Sequence, residues 1–420
     1  MDKGDNYEVK DLKLAQQGMK NIEWAESQMG ALIKVRQRFE KEKPLKGIRV
    51  GLALHITKET AALVRTLISG GAKVAITGCN PLSTQDDVAA ALAVEGVDVY
   101  GWKHESKEEY YRNLNKIIAF RPQITIDDGC DLVTEIHLKH PELINSIIGG
   151  SEETTTGIIR LKAMEKDKAL KYPIIAVNDN KTKHLLDNYY GTGQSALDGI
   201  LRGTSILFAG KNVVVAGYGD CGKGTSLRAS GLGANVIVTE VNHFRALQAK
   251  LDGHRVMPMQ EAAKIGDIFI TVTGGKHIIK IEHIRAMKDG AILANAGHFD
   301  IEIDYASLKK AASGVREIRP LVEEFIIDGR KIFALGQCRL VNLALAEGHP
   351  SEVMSTSFCG QALACEYLVK NKGNLDRKVI TLPEEIDDKI AALQLKALDV
   401  AIDTLDDEQV KYLNSWNEGT

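Results

Sequence analysis

Between Asn212 and Glu240 the chain reads Asn-Val-Val-Val-Ala-Gly-Tyr-Gly-Asp-Cys-Gly-Lys-Gly, a helical span, then Ala-Asn-Val-Ile-Val-Thr-Glu. Gly217, Gly219 and Gly222 form a GxGxxG pattern. In such a loop the first glycine permits a tight turn and the second lets the backbone approach a pyrophosphate. The third lets the following helix pack on the preceding strand. The start of that helix adds free N–H groups and the positive end of its dipole. Alone, the pattern is also that of an ordinary glycine-rich turn. Here it follows a β-branched apolar run at 213–215, opens a helix, and is followed by a second strand at 235–239 that ends at Glu240. An acid at that place bonds ribose hydroxyls and repels a 2′-phosphate, so the stretch predicts NAD rather than NADP.

A second set of reactive residues falls just after other apolar runs. His55-Ile56-Thr57-Lys58-Glu59 follows 48–54, and Asp127-Asp128-Gly129-Cys130-Asp131 follows 123–126. Asn178-Asp179 follows 173–177, and Asn295-Ala296-Gly297-His298 follows 291–294. Any one cluster has a bland explanation, because Asp and Asn cap helices and start turns. Open parallel sheets, however, bind ligands beyond the carboxyl ends of their strands, and all of these clusters take that position. Lys183 and Asp187 stand at i and i+4, which by itself is only a helix-surface pair.

The elements that must carry these residues follow from periodicity. Residues 1–40 read as charged and helical, with Ile22, Ala25, Met29 and Leu32 on one face. Strands are expected at 48–54, 73–77, 97–100, 123–126 and 173–177, with helical patterns between them. Further strands at 268–272 and 291–294 extend the region of the glycine loop. The alternation predicts an α/β fold of two doubly wound parallel-sheet domains. The expected division is a substrate-binding domain at 1–190, completed by 350–378, and a dinucleotide domain at 191–349. A small helical C-terminal segment, 379–420, would make subunit contacts. Within it Ile386, Ile390, Leu393, Ala397 and Val400 form an apolar stripe.

Composition narrows the class. The 420 residues are 44% hydrophobic and 26% charged, as in a soluble globular protein. A net charge of −3 gives no reason to expect nucleic acid or an anionic membrane as partner. No apolar run approaches the length of a membrane span, and the start, Met-Asp-Lys-Gly-Asp, has no apolar signal core. The six cysteines are scattered without a CxxC pair, so no metal site and no disulfide framework is indicated. A cytoplasmic protein is expected.

At the reactive clusters the sequence closely resembles the S-adenosylhomocysteine hydrolase family, from about residue 22 to residue 413. The stretches that carry the likeness are His55-Ile56-Thr57-Lys58-Glu59-Thr60, Cys79-Asn80-Pro81-Leu82-Ser83-Thr84-Gln85-Asp86 and Asp127-Asp128-Gly129-Cys130-Asp131. Ser151-Glu152-Glu153-Thr154-Thr155-Thr156-Gly157, Asn178 to Lys183, Asp187-Asn188, Asn295 to Asp300, Arg339 to Leu343 and Gly348-His349-Pro350-Ser351 continue it. The resemblance implies reversible hydrolysis of S-adenosylhomocysteine to adenosine and homocysteine by a redox detour. Oxidation of the ribose 3′-hydroxyl by NAD makes the C4′ proton acidic. Homocysteine is then eliminated, water adds, and the ketone is reduced again.

The roles that the resemblance implies are these. Lys183 and Asp187 would hold the 3′-hydroxyl and assist its deprotonation, the lysine acting as a base near neutral pH. Asp128 and Glu153 would contact the ribose, with Asp128 helping to set the protonation state of His55. His55 would protonate the departing sulfur and deprotonate the incoming water, since its ordinary pKa suits both directions. The group that takes the C4′ proton is left open among Asp128, Lys183 and His55. Asn188 and His298 would line the nicotinamide and sugar. Thr57, Glu59 and His349 would read the adenine edge. Thr154, Thr155, Thr156, Gly219, Asp220, Glu240 and Asn342 would contact NAD, with Gly217, Gly222, Asn295 and Gly297 in the same cofactor loops. Cys221 is expected to be only a small residue against the sheet.

The sequence also departs from the family pattern. Thr192 stands where many members carry Cys, and Glu347 where many carry Met, which puts a charge near the substrate entrance. The chain ends at Thr420, whereas many members extend further with a Lys and a Tyr that reach the neighbouring subunit's NAD. A homotetramer is still expected through the helices around 386–400, with NAD retained less tightly or by other means. The shorter form resembles the archaeal and thermophilic branch, in which some members prefer S-inosylhomocysteine. Glu59 favours adenine, because a carboxylate repels the hypoxanthine O6. The competing readings are the S-inosyl-L-homocysteine hydrolase, a plain NAD-dependent dehydrogenase and a non-enzymatic nucleoside sensor.

Overall fold

Val213, Val214 and Val215 show how the sequence builds its sheets. All three are fully buried, but Val213 and Val215 enter one apolar cluster and Val214 another. A strand with apolar side chains on both faces needs helices on both faces, and that is the arrangement of a parallel α/β sheet. The computed structural model describes residues 1–417 and contains two such sheets.

The first sheet is built from β1 (Asp2–Lys3), β2 (Tyr7–Val9), β3 (Arg49–Ala53), β4 (Lys73–Thr77), β5 (Asp98–Tyr100), β6 (Ile124–Asp127), β7 (Gly149–Glu152) and β8 (Ile174–Ala176). The second comprises β9 (Asn212–Ala216), β10 (Asn235–Thr239), β11 (Arg255–Val256), β12 (Ile268–Thr271), β13 (Ala291–Asn295), β14 (Gly314–Arg319), β15 (Val322–Ile327) and β16 (Arg330–Leu335). The last strand, β17 (Val379–Ile380), returns to the first sheet beside β8. The first sheet runs β1-β2-β5-β4-β3-β6-β7-β8-β17, parallel except for β1 against β2. The second runs β11-β10-β9-β12-β13-β16-β15-β14, with an antiparallel edge formed by the last three strands in chain order.

Strand order decides where ligands can sit. From β3 the chain first builds outward through β4 and β5, then returns to place β6 on the other side of β3. The loops after β3 and β6 therefore diverge to opposite faces and leave a crevice between them. The same reversal separates β9 from β12 in the second sheet. His55 and Asp128 flank the first crevice, and Gly217 and Thr273 flank the second.

Three expectations change. Residues 1–40 are not helical throughout: β1 and β2 precede the helices Ala15–Gln28 and Gly30–Glu42, with Met29 at the break. Ile22, Ala25, Met29 and Leu32 all lie in the core as expected. β7 was not foreseen, because Gly149 and Gly150 are poor strand formers. Gly150 has no room for a side chain, since a Cβ there would meet the Thr125 hydroxyl at 2.3 Å. The C-terminal stripe stops short. The helix Glu384–Ala397 lays Ile390 into the first core with Ile386 and Leu393 beside it, but Val400 lies beyond the helix and is half exposed. Residues 418–420 of that segment lie outside the described residues.

Ile390 is fully buried in the cluster packed on the first sheet, so truncation there measures whether residues 384–397 belong to that sheet's cooperative unit. Ile390→Ala is expected to lower its unfolding free energy by about 2–5 kcal/mol in denaturant titration. A change below about 0.5 kcal/mol would mean that this helix docks without contributing to the core.

Candidate active site

The carboxyl ends of the two sheets face each other across one cavity of about 1040 Å³, room for more than one small ligand. His55, Thr57, Glu59, Asp128, Glu153, Thr154, Thr155, Thr156, Lys183, Asp187, Asn188 and His349 line it together with Gly217, Gly219, Asp220, Glu240, Gly297, His298 and Asn342. Gly222 and Asn295 are outside the lining. Gly222 is a packing residue: a Cβ there would lie 2.1 Å from the Gly217 carbonyl oxygen. Asn295 is fully buried and organises the loop behind the cavity. Its Nδ2 donates to the carbonyls of Gly297, Phe299 and Cys338, each at 3.0 Å.

Two imidazoles meet on one carboxylate. His55 Nε2 is 3.4 Å from Asp128 Oδ2, and His298 Nδ1 is 3.3 Å from Asp128 Oδ1. His55 comes from the loop after β3, Asp128 from the loop after β6 and His298 from the loop after β13, so this contact joins the two sheets. It requires Gly129, whose φ is +104° and where a Cβ would lie 2.3 Å from His298 Nε2. His55 Nδ1 is 2.7 Å from Ser83 Oγ, and Cys79 Sγ donates to Asp128 Oδ2 at 3.7 Å. The ligand atoms of His55, Asp128 and His298 lie within 4.8 Å of one another. Their direct contacts suit proton transfer. Burial pulls the His55 pKa down to about 4, with Asp128 opposing and His298 and His349 adding to the fall. The imidazole is therefore neutral at neutral pH, whereas its ordinary value would let it titrate near neutrality.

A second cluster surrounds Lys183. The chain from His184 to Gly191 is a π-helix, between the short helix Lys181–Lys183 and the helix Thr192–Thr204. An α-helix would present the i+3 and i+4 positions to Lys183, and would turn i+5 away. The wider π turn brings i+4 and i+5 to either side of it. Lys183 Nζ thus lies 2.9 Å from Asp187 Oδ2 and 2.7 Å from Asn188 Oδ1, with Glu153 Oε1 at 3.6 Å. Glu153 accepts from Ser357 Oγ at 2.6 Å and Gln361 Nε2 at 2.5 Å. Asn188 Nδ2 donates to Asn178 Oδ1, which also accepts from Thr155 Oγ1, both at 3.2 Å. Burial would lower the Lys183 pKa, but Asp187 and Glu153 override it and hold the ammonium protonated well above the ordinary value. The lysine is a fixed cation in the free cavity, not the ready base expected from sequence. Burial opposes ionisation of Asp187 too, but Lys183 and His349 keep its carboxylate charged. His349 contacts Asp187 through Nδ1 and Thr192 Oγ1 through Nε2 at 3.3 Å. It sits beside the reactive cluster.

Thr57 and Glu59 stand at the start of the helix Lys58–Ser69, where the Thr57 hydroxyl accepts from the Thr60 N–H at 3.3 Å. Glu59 is buried, and its Oε1 accepts from Ser351 Oγ at 2.7 Å. Lys58 Nζ lies 3.4 Å from the same oxygen and 3.0 Å from Glu347 Oε2. Glu347 also meets Arg202 at 2.8 Å. Glu347 is thus paired with cations of two helices, Lys58–Ser69 and Thr192–Thr204.

The second sheet's half of the cavity fits a dinucleotide. Gly217 has φ +106°, which only glycine adopts freely. At Gly219 the nearest atom to a Cβ is the Arg245 guanidinium at 3.7 Å, so the backbone is open to a close ligand. The helix Asp220–Gly231 starts there. Glu240 Oε2 accepts from the Tyr218 N–H at 2.8 Å, and Oε1 from Val241 and Asn242 at 2.7 and 2.9 Å, so its carboxylate is held in place. Asn342 donates to Ser195 at 3.1 Å while its buried Oδ1 has no partner, an acceptor available to a ligand amide. Cys221 also lines the cavity, with its thiol pushed up to about 11 by burial.

Other lining residues carried no sequence signal. Met354 and Phe358 form an apolar wall with Leu343, which belonged to the likeness, and such apolar residues are indistinguishable from core in a sequence. Thr273, Gly274 and Gly275 follow β12. Their loop is held by Glu302, which accepts from the Thr273 and Gly274 N–H groups at 2.9 and 2.7 Å.

The His55 assignment has a sign that can be measured. Unfolded imidazole titrates near 6.5 and the folded one near 4. Between those values the unfolded chain binds the extra proton, so His55 contributes stability above about pH 6.5 that is lost as pH falls, at most about 3 kcal/mol. Denaturant titrations of the wild type and His55→Gln at about pH 7 and about pH 5 are expected to show a smaller acid loss in the variant. Equal losses would contradict a buried neutral His55.

Comparison with known proteins agrees with this geometry. Residues 188–348 match the family described as S-adenosyl-L-homocysteine hydrolase, NAD binding domain, and residues 6–142 match S-adenosyl-L-homocysteine hydrolase. The chain is 59% identical over 414 residues to the S-inosyl-L-homocysteine hydrolase of Methanocaldococcus jannaschii, covering 99% of this chain and 100% of that one. It is 57% identical over 417 residues to the adenosylhomocysteinase of Saccharolobus solfataricus, with the same coverage. It is 56% identical over 412 residues to the S-inosyl-L-homocysteine hydrolase of Methanococcus maripaludis, covering 98% and 99%. With a dinucleotide half, a nucleoside-sized reactive half and identity at this level over nearly the whole length, the chain belongs to the S-adenosyl-L-homocysteine hydrolase family.

Proposed function

We propose that this protein reversibly hydrolyses S-adenosyl-L-homocysteine to adenosine and L-homocysteine. The observation that carries the reading is the Lys183 cluster opening into the same cavity as the His55–Asp128–His298 cluster and the glycine loop. Gly217, Gly219, Asp220, Glu240, His298, Asn342 and Thr154 to Thr156 hold NAD. When bound, NAD supplies a reversible hydride acceptor for the carbon bearing the 3′-hydroxyl.

The chain's own groups do the rest. Lys183 Nζ, as a cation in a water-poor site, stabilises negative charge on the 3′ oxygen. When a substrate hydroxyl replaces part of its contact with Asp187 or Glu153, its hold on the proton weakens and exchange with that hydroxyl becomes accessible. Glu153, fixed by Ser357 and Gln361, orients the ribose. The proton released from C4′ reaches the departing sulfur through His55, which ends neutral; neutral His55 then accepts a proton from the incoming water and gives it up as C4′ is reprotonated. Asp128 orients both imidazoles. Leu343, Met354 and Phe358 keep bulk water from the reacting carbons.

Glu59 marks the base end. Its carboxylate accepts from the exocyclic amine of adenine and also from the N1–H of hypoxanthine, so S-inosyl-L-homocysteine is the second reading, with the same chemistry. Two of the relatives above carry that name. The division of labour follows the chain: 1–190 with 350–378 for substrate, 191–349 for NAD, and 379–420 for contacts in a cytoplasmic homotetramer. Exposed Leu398, Ile402, Leu405, Leu413 and Trp416 support the last assignment. Among the described residues no helix is long and apolar enough to cross a membrane.

Homocysteine release from the two thioethers, assayed with added NAD, tests the reading. Release from the adenosine compound is expected without net NADH. Preference for the inosine compound would select the second reading, and net NADH with no release would exclude both. In Lys183→Met, kcat is expected to fall by about 10²–10⁴-fold with NAD content unchanged. A kcat within about twofold of wild type would remove Lys183 from the chemistry.

A further inference from the structure

Two neighbouring strands each end in a pair of acids, Asp127-Asp128 at β6 and Glu152-Glu153 at β7. Asp128 and Glu153 line the cavity, whereas Asp127 and Glu152 do not. Side chains alternate along a strand, so the first acid of each pair is turned beneath the cavity. Asp127 and Glu152 are register partners, both with 0% exposure.

Their contacts are almost all to backbone. Asp127 Oδ1 accepts from the Asp128 N–H at 3.0 Å, and Oδ2 from the Val133 N–H at 2.9 Å. Glu152 Oε1 accepts from the Gly129 N–H at 2.8 Å and the Thr154 N–H at 3.0 Å. Glu152 thereby ties the loop that carries Asp128 to the loop that follows Glu153. The Asp127 carbonyl accepts from the Glu153 N–H at 3.0 Å, which closes the link. Glu152 Oε2 has no partner. Arg160, the cation of this region, pairs with Asp131 at 2.6 Å instead. Gly157 makes room for the acid: a Cβ there would lie 2.1 Å from the Glu152 carboxyl carbon.

We propose that Asp127 and Glu152 are positioning residues of this enzyme, buried acceptors that hold the two backbone loops presenting Asp128 and Glu153. The proposal rests on the hydrolase reading for its kinetic consequence, but not for its structural one. Two adjacent buried carboxylates without a cation are costly as anions. Burial accordingly raises both, Asp127 to about 7 and Glu152 well above the usual range.

The geometry makes the two acids differ in a way a general structural role would not. Glu152 uses one oxygen for both amides and leaves the other unbonded, so a glutamine reproduces it. Asp127 uses both oxygens as acceptors, so an asparagine must turn an NH2 group against an N–H.

The test compares E152Q, E152A and D127N in the NAD-loaded enzyme, by steady-state kinetics and by backbone hydrogen exchange over 128–134 and 153–155. E152A and D127N are expected to lose about 10–100-fold in kcat with KM little changed, and to exchange faster in those segments. E152Q is expected to rescue both readouts to near wild type. E152Q failing like E152A, or E152A or D127N behaving as wild type, would overturn the proposal. The pair E152A and E152Q decides it even if D127N does not accumulate as folded protein. Wild-type protein inactive on both thioethers would defeat the hydrolase reading, and the exchange comparison would still judge the clamp.

Discussion

A buried charge must be matched, and Lys183 is the charge around which this site is arranged. Its ammonium is almost wholly removed from water, as are Asp187 and Glu153. Taking such groups out of water costs several kcal/mol each unless they pair and bond well. The chain meets that cost with a π-helical stretch that brings both Asp187 and Asn188 to Lys183, with Ser357 and Gln361 on Glu153, and with His349 on Asp187. Those partners come from the end of β7, from the π-helical stretch, from His349 and from the helix Ser351–Lys370. The cation is therefore satisfied only when these parts are assembled.

The second sheet reaches the neighbouring Asp128 through His298. Its contact with Asp128 depends on Gly129 having no side chain, so a reactive group of one sheet is completed by a loop of the other. On the cofactor side carboxylates hold the loops. Glu240 accepts three backbone N–H groups and Glu302 accepts two. Buried or half-buried carboxylates that gather amides are the common way in which this protein gives shape to loops at strand ends, where no ladder hydrogen bonds are available.

Much of the architecture was legible because its signals are local. Apolar runs such as 213–215 and 235–239 announce buried strands, and the glycine loop with Glu240 announces the dinucleotide half. The resemblance extended this to the reactive half, and its motifs brought Cys79 and Ser83 forward without a role. Some elements were silent for physical reasons. The glycines of β7 suppress strand propensity because Thr125 leaves no room for a side chain. The three residues of β2 are too few to show a period. Met354 and Phe358 look like core because they pack like core.

The sequence by itself determined the α/β class, the paired sheets, the cofactor type and the identities of the groups that could do chemistry. All of these depend on residue type and short spacing. Only the tertiary structure decided their protonation and company. Lys183 is an ammonium and His55 a neutral imidazole because of burial and of neighbours distant in the chain, not because of their own chemistry. His349 joins Asp187 across 162 positions of sequence. Asp127 and Asp128, adjacent and chemically identical, are assigned opposite tasks by the alternation of one strand. No spacing rule reveals which of two neighbouring acids will face the cavity, since that choice belongs to the sheet and its register.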